Sequence, residues 1–429
     1  MPKRQTALLM TVGTGIGEGQ KVTDDLAHGI LYSIDTCNPD IVIFFGSELS
    51  KLTIESLKKQ YVGKFGDEFD YYEFIQIDEI DDFKTYFEAF KSKIRELSDY
   101  KVIIDYTSGT KTMTMSAAFA SMLFRKNLFF IGGERENGVV IKGTEKLITQ
   151  NLYPIYDDLM INKIKELFNT NRFEAGKVLI DDLVGGSDDK RIFSKLFEIY
   201  SYFDNVDYKN AYPLFGTEFL EEISERWPDL SQQFLNNRIS LDAMQKIDFE
   251  NSDKKVFKRD SFKYGSYRIL ASLLNNARRR CEEHKYDDAI ARLYRSLELI
   301  AQIQLKIQYG LNSSNINVDS LRSRNISNEY IVELENSKDN VSGEIKLGLA
   351  QDFDLLYQLD DELGKFYHEN KNEIRDCIIF RNKSILAHGL TSQSKENYHN
   401  LEKWVLEASE ILTPEINVYI EDTKFPEFI

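Results

Sequence analysis

Cysteine is scarce in this chain: three residues in 429, Cys37, Cys281 and Cys377, far apart and with no CxxC spacing. Such a set builds neither a disulfide framework nor a structural zinc site, and it fits a reducing cytosol. Long apolar runs are also missing. Nothing approaches the roughly 18 consecutive apolar residues of a bilayer-spanning helix, and the N-terminal Met-Pro-Lys-Arg-Gln-Thr leads into a short apolar run without a signal-segment pattern. A cytoplasmic protein without a membrane partner is expected. Basic charge is in deficit, with 54 Lys+Arg against 70 Asp+Glu and a formal net charge of −16. That balance argues against a protein that coats nucleic acid by charge, so no stable DNA binding is expected and any nucleic-acid contact must be local.

Two nucleotide-binding fingerprints are absent as well. Gly109-Thr110-Lys111-Thr112 follows a predicted strand, but a threonine separates the glycine from the lysine and no upstream glycine completes a Walker A loop. Gly13-Thr14-Gly15-Ile16-Gly17-Glu18 has glutamate where a dinucleotide-binding loop needs its third glycine, which disfavours a Rossmann dehydrogenase.

What is present is an ordinary globular composition, 42% hydrophobic and 29% charged, at a length that exceeds one core. Short apolar runs at 7–12, 41–45, 72–77, 101–105 and 128–132 alternate with amphipathic stretches such as 24–37, 82–97 and 112–124. This alternation predicts an α/β domain over 1–150 with a mostly parallel sheet. Glu136-Asn137-Gly138 between 129–131 and 139–141 predicts a hairpin that closes the domain with an antiparallel edge. The pattern then turns helical, giving an all-α connector over 151–255 and a second all-α domain over 256–429. Within the latter, 286–308 is a long helix with Ile290, Leu293, Leu297 and Ile300 on one stripe. The Ser/Asn-rich 312–340 reads as a loop-rich insertion. A helix over 371–388, a last helix near 400–412 and an exposed tail follow.

Three turns after predicted strands carry small and hydroxyl residues: Gly13-Thr14-Gly15, Gly46-Ser47, and Asp105-Tyr106-Thr107-Ser108-Gly109-Thr110-Lys111. In open α/β sheets such turns gather at the carboxyl ends of the strands, where helix N-termini favour anions, so a phosphate- or nucleotide-binding rim is expected. A second constellation is Arg381-Asn382-Lys383-Ser384-Ile385-Leu386-Ala387-His388. On one continuous helix Arg381 and His388 would share a face, roughly 10 Å apart, with Ile374, Ile378 and Ile385 on the same stripe. Polar groups in that setting need partners or a task. His28, His284, His368 and His399 have no such context and read as structural or surface residues.

The first constellation, with Thr11-Val12-Gly13-Thr14-Gly15 and Asp105–Lys111, resembles the CARF domains, the Rossmann-like sensors of CRISPR-associated proteins. The second, late in an all-helical domain, resembles the HEPN ribonucleases. Together, in this order and at this length, they resemble the type III CRISPR accessory ribonucleases of the Csm6/Csx1 group, closer to the Csm6 branch. The resemblance implies a homodimer with no cofactor, activated by a cyclic oligoadenylate, six adenylates favoured over four. It implies metal-independent cleavage of single-stranded RNA by 2′-hydroxyl attack, with Arg381, Asn382 and His388 catalytic. Ligand contacts would come from Thr11, Gly13, Thr14, Gly15, Gly46, Ser47, Asp105, Thr107, Ser108, Gly109, Thr110, Lys111 and Thr114. Hydroxyls of Thr14, Thr107 and Thr114 would lie near the ring if the sensor also slowly cleaves its activator. The stretch 286–295 is similar to that group's HEPN helix, with Arg292 and Arg295 supporting it or contacting RNA. Two rivals stand beside this reading: a non-catalytic ligand-gated regulator, and a nucleotide-cofactor enzyme built on the α/β domain.

Overall fold

The computed structural model describes residues 4–15, 20–136, 139–184, 187–249, 258–324, 326–339, 343–386 and 389–429. It divides into two compact units, Met1–Ile161 with Leu183–Gly186, and Asn162–Asp182 with Ser187–Ile429. The segments on either side of residue 255 thus fall within one unit.

The first unit follows its apolar runs. Strands β1 (Thr6–Val12), β2 (Ile41–Gly46), β3 (Tyr72–Gln76), β4 (Lys101–Asp105) and β5 (Asn127–Gly132) are parallel. Helices α1 (Gln20–Cys37), α2 (Lys51–Phe65), α3 (Phe83–Glu96) and α4 (Lys111–Leu123) connect them. Alternate residues of β1 enter two cores. Ala7 and Leu9 pack with Phe45, Tyr86, Phe90 and Ala117 under α3 and α4. Leu8, Met10 and Val12 pack with Ala27, Ile30, Phe44 and Leu57 under α1 and α2. A sheet covered on both faces needs near-continuous apolar strands, which is why these runs were legible.

Strands β6 (Arg135–Glu136) and β7 (Val139–Val140) form a small separate hairpin, and β8 (Lys146–Gln150) pairs antiparallel with β5, giving the order β3-β2-β1-β4-β5-β8. The antiparallel edge therefore exists but is made by β8. Val139-Val140 pairs with Arg135-Glu136 and not with 129–131, because Gly132-Gly133 ends β5 before the turn begins; Asn137 and Gly138 lie outside the described residues.

Helix α5 (Tyr153–Asn169) begins in the first unit and ends in the second, which is helical: α6 (Phe173–Asp181), α7 (Ser187–Asp204), α8 (Tyr208–Leu214), α9 (Thr217–Arg226), α10 (Ser231–Met244), α11 (Arg259–Glu282), α12 (Tyr286–Tyr309), α13 (Val318–Arg322), α14 (Asn328–Asn336), α15 (Leu349–Gln358), α16 (Glu362–Glu369), α17 (Lys371–Asn382), α18 (Lys395–Leu412) and α19 (Ile416–Asp422). The expected α12 stripe is fully buried.

Three expectations are corrected here. The Ser/Asn-rich segment carries α13 and α14, whose Leu321, Ile331 and Leu334 are buried. The C-terminal tail is anchored by its aromatic residues, with Phe428 buried. Phe425 lies 4.9 Å from Tyr200 and Phe428 lies 5.0 Å from both Phe168 and Trp227, ring to ring. Asn169 clamps Phe428 by accepting its amide at 2.8 Å and donating to its carbonyl at 2.7 Å. Finally, the helix expected to run to residue 388 ends at Asn382. Asn382 and Ser384 are weak interior helix formers. The Lys383 carbonyl instead accepts the Thr391 amide at 3.0 Å, and the Ser384 carbonyl accepts that of Gly389 at 3.1 Å. Gly389 permits this return, since a Cβ there would fall 2.0 Å from the Lys383 oxygen. The apolar stripe stops as well: Ile374 is buried, whereas Ile385 is 67% exposed.

Candidate functional site

Sheet order reverses between β1 and β4, so the turns after these strands open a crevice at their carboxyl ends, the usual ligand position in such sheets. The two turns touch. Thr11, 1% exposed, donates its hydroxyl to the Ser108 carbonyl, and the Gly13 amide donates to Ser108 Oγ at 3.1 Å. A Cβ at Gly13 would stand 3.1 Å from the Gly109 backbone, and Gly109 itself has φ +119°, a conformation that only glycine adopts readily. The Gly46-Ser47 turn joins them through side chains the sequence did not single out. Ser50 Oγ donates to the Val12 carbonyl at 2.8 Å and accepts the Ser47 amide at 3.2 Å, and Thr53 Oγ1 donates to the Gly13 carbonyl at 3.1 Å. All three turns therefore meet at one rim.

Thr110 caps α4, its hydroxyl accepting the Met113 amide at 3.2 Å. Thr14, Gly15, Gly109 and Lys111 are exposed, and Thr114 donates its hydroxyl to the Lys111 carbonyl at 3.0 Å. Free amides and a helix N-terminus with a lysine suit an anion. Asp105 faces inward instead. At 1% exposure its Oδ1 accepts the Thr107 amide at 2.7 Å and the Thr107 hydroxyl, and Oδ2 is buried with no hydrogen-bond partner among the described residues. Burial pushes its pKa from 3.8 to about 6, against the opposing hydroxyls of Ser33 and Thr107. Thr107 Oγ1 in turn accepts the Ile131 amide at 2.8 Å, so Asp105 and Thr107 lock the rim to β5. Beside it a small cleft is lined by Asp25, His28, Thr107, Ser108, Arg135 and Glu145, with His28 Nε2 2.6 Å from Glu145 Oε1.

In the second unit Arg381 occupies the last turn of α17, its Nη1 donating to Asn382 Oδ1 at 3.1 Å. Its guanidinium carbon lies 4.5 Å from the centre of the Tyr294 ring on α12. Burial and the Glu298 carboxylate push the Tyr294 pKa up, against the nearby Arg381 and Arg295 charges. His388 lies outside the described residues. Arg292 and Arg295 are engaged within the chain. Arg292 donates to Asn276 and Asp288, and Arg295 donates to Glu298 at 2.8 Å and Gln302 at 2.9 Å. Gln393, another residue without a sequence signal, ties the segment after α17 to both helices, its amide donating to Asp287 at 3.2 Å and its side chain to the Phe380 carbonyl at 2.9 Å. Phe380, Ile385, Leu386 and Leu390 are exposed around this end of α17. Among the described residues no group of three or more His, Cys, Asp or Glu is placed to hold a metal ion, and no helix is long and apolar enough to cross a membrane.

Residues 258–412 match the family model described as the Csm6 HEPN domain, a segment that runs from the start of α11 to the end of α18. Among solved structures, Enterococcus italicus Csm6 bound to cyclic hexa-2′-fluoro-hexa-dAMP is similar, with a TM-score of 0.58 at 14% sequence identity over 96% of this chain and 95% of that one. No curated protein sequence matches. In fold the chain is Csm6-like throughout, an α/β domain followed by helices, of which residues 258–412 are similar to the Csm6 HEPN domain.

Proposed function

We propose that this chain is a cyclic-oligoadenylate-activated, metal-independent endoribonuclease that cleaves single-stranded RNA in type III CRISPR antiviral defence, acting as a cytoplasmic homodimer. One observation carries the reading: a chain with a glycine- and threonine-built rim at its sheet crevice also has Arg381-Asn382 at the end of α17, inside a segment matching the Csm6 HEPN domain. The similar Csm6 was solved with a cyclic hexanucleotide analogue, which favours a ring of six adenylates over four for this rim.

In the reaction the 2′-hydroxyl of the substrate attacks the adjacent phosphate, leaving a 2′,3′-cyclic phosphate and a 5′-hydroxyl. Arg381 stabilises the charge that grows on the non-bridging oxygens, His388 moves the proton, and Asn382 orients Arg381 or the phosphate. Arg381 and Asn382 alone gather little catalytic power. The exposed Phe380, Ile385, Leu386 and Leu390 beside them support a second copy packing on this face, which would bring two sets of catalytic residues together. Ligand at the rim of Gly13–Gly15, Gly46-Ser47 and Thr107–Lys111 shifts the population toward the cleaving state. Slow cleavage of the activator by the sensor itself is a secondary activity, for which Thr14 supplies an exposed hydroxyl, those of Thr107 and Thr114 being bonded within the chain.

The test incubates the protein with single-stranded RNA and cyclic hexa- or tetra-adenylate. Ligand-dependent cleavage is expected, falling about 100-fold or more in Arg381→Ala and His388→Ala while activator binding persists. Binding without cleavage would support the ligand-gated regulator instead. Full activity in a monomer would remove the composite site.

A further inference from the structure

Arg381 is held by an aromatic ring and a neighbouring amide. Its described contacts are the Asn382 amide oxygen and the face of the Tyr294 ring, and among the described residues it has no carboxylate within ion-pair distance. The arginines flanking Tyr294 in sequence contrast with it. Arg292 pairs with Asp288 and Arg295 with Glu298, so their charges are largely answered inside the chain. A guanidinium that is to meet a phosphate must be fixed without being neutralised. A carboxylate would compete with the phosphate for the same N–H fork, whereas an aromatic face attracts the cation and leaves its donor edge free.

The surroundings make Tyr294 a rigid platform. It follows Leu293, which is fully buried with Ile290, Leu297 and Ile300 on the core stripe of α12. One residue is about 100° of helix, which brings the half-buried ring to the seam between the core and α17. Gln393 bridges the same two helices, bonded to the Phe380 carbonyl of α17 and the Asp287 carboxylate of α12. α17 has no helical turn beyond Asn382 to steady Arg381 from below.

We infer that Tyr294 is a positioning residue of the ribonuclease site, its ring holding the Arg381 guanidinium by one face so that the N–H edge is free for the scissile phosphate. The inference rests on the proposed role of Arg381. It is tested with the full chain at saturating cyclic hexa-adenylate, measuring single-turnover cleavage of single-stranded RNA by the parent, Tyr294→Phe, Tyr294→Leu, Arg381→Ala and the double variant Arg381→Ala/Tyr294→Leu. Tyr294→Phe keeps the ring and should stay within about twofold of the parent rate. Tyr294→Leu should lose about fivefold or more, the worth of one partly desolvated cation–π contact, with activator affinity and RNA KM unchanged. In the Arg381→Ala background the leucine should cost nothing further, since the group it acts through is gone. Loss in Tyr294→Phe equal to that in Tyr294→Leu, an indifferent Tyr294→Leu, or an equal additional loss in the double variant would each overturn the inference while leaving the ribonuclease reading intact. A parent chain that cleaves nothing, or an Arg381→Ala protein of full activity, would remove the underlying reading and the inference with it.

Discussion

Asp105 gives the sharpest quantitative expectation, because its carboxylate is both buried and committed to the rim. Its pKa rises from 3.8 to about 6, with burial as the main cause. A carboxyl group whose folded-state pKa lies above its unfolded value keeps its proton longer in the folded chain. Its contribution to stability is therefore full below pH 3.8, declines as pH rises, and is gone above about 6. The difference corresponds to about 3 kcal/mol between the two ends of that window. Asp105→Asn removes the ionisation yet keeps an oxygen for the Thr107 amide and hydroxyl, at the cost of an amide group buried where Oδ2 has no partner. An unmatched donor there costs about 1–3 kcal/mol at every pH. The variant should thus be less stable than the parent at pH 4 and close to it or better at pH 7. Urea unfolding at several pH values, read by hydrogen exchange in peptides covering β1 and β4, measures the stability of this unit separately. The stability difference between the two proteins should change by about 2 kcal/mol across pH 4 to 7. A difference constant over that range would refute the reasoning, because Asp105 would then carry the same charge in folded and unfolded chains.

Two further outcomes follow from the packing. Gly109→Ala forces a left-handed φ of +119° on an L residue and sets a methyl 3.0 Å from Met113 Sδ and 3.2 Å from Thr11 Cβ. Destabilisation of about 1–3 kcal/mol should accompany weakened binding of cyclic hexa-adenylate, measured by calorimetry, with RNA affinity untouched. Phe428→Ala empties a pocket made by Phe168, Phe193 and Trp227 and should cost about 3 kcal/mol, lowering the thermal midpoint of the helical unit; an unchanged midpoint would contradict the burial of the tail.

Much of the first unit was legible because its strands are covered on both faces and so read as apolar runs. β8 was not, since its Lys-Leu-Ile-Thr-Gln is only partly buried and pairs on one side alone. The helical unit yielded its long amphipathic helices for a similar reason: a buried stripe repeats locally. The tail did not, because Phe425 and Phe428 are two aromatics in a short segment and their partners lie about 200 residues or more upstream. Nothing near them in sequence reveals a contact of that range. The rim was legible in its glycines, which answer to local backbone needs. Ser50 and Thr53, whose hydroxyls tie the turns together, were not, because a serine or threonine at a helix start looks alike whether or not it reaches a neighbouring strand.

The Arg381–His388 stretch shows where residue spacing misleads. A separation of about 10 Å on one face would follow from seven residues of unbroken helix, yet α17 stops after Asn382 and residues 383–386 form turns. The helical spacing argument therefore ends at Asn382. The carbonyls at the helix end are answered by amides at 389 and 391, and Gly389 makes that close approach possible. What the helical periodicity did contain was the partner of Arg381. Tyr294 sits one position beyond a core leucine on α12, at the edge of the buried stripe, where an aromatic ring can serve the core with one face and a cation with the other.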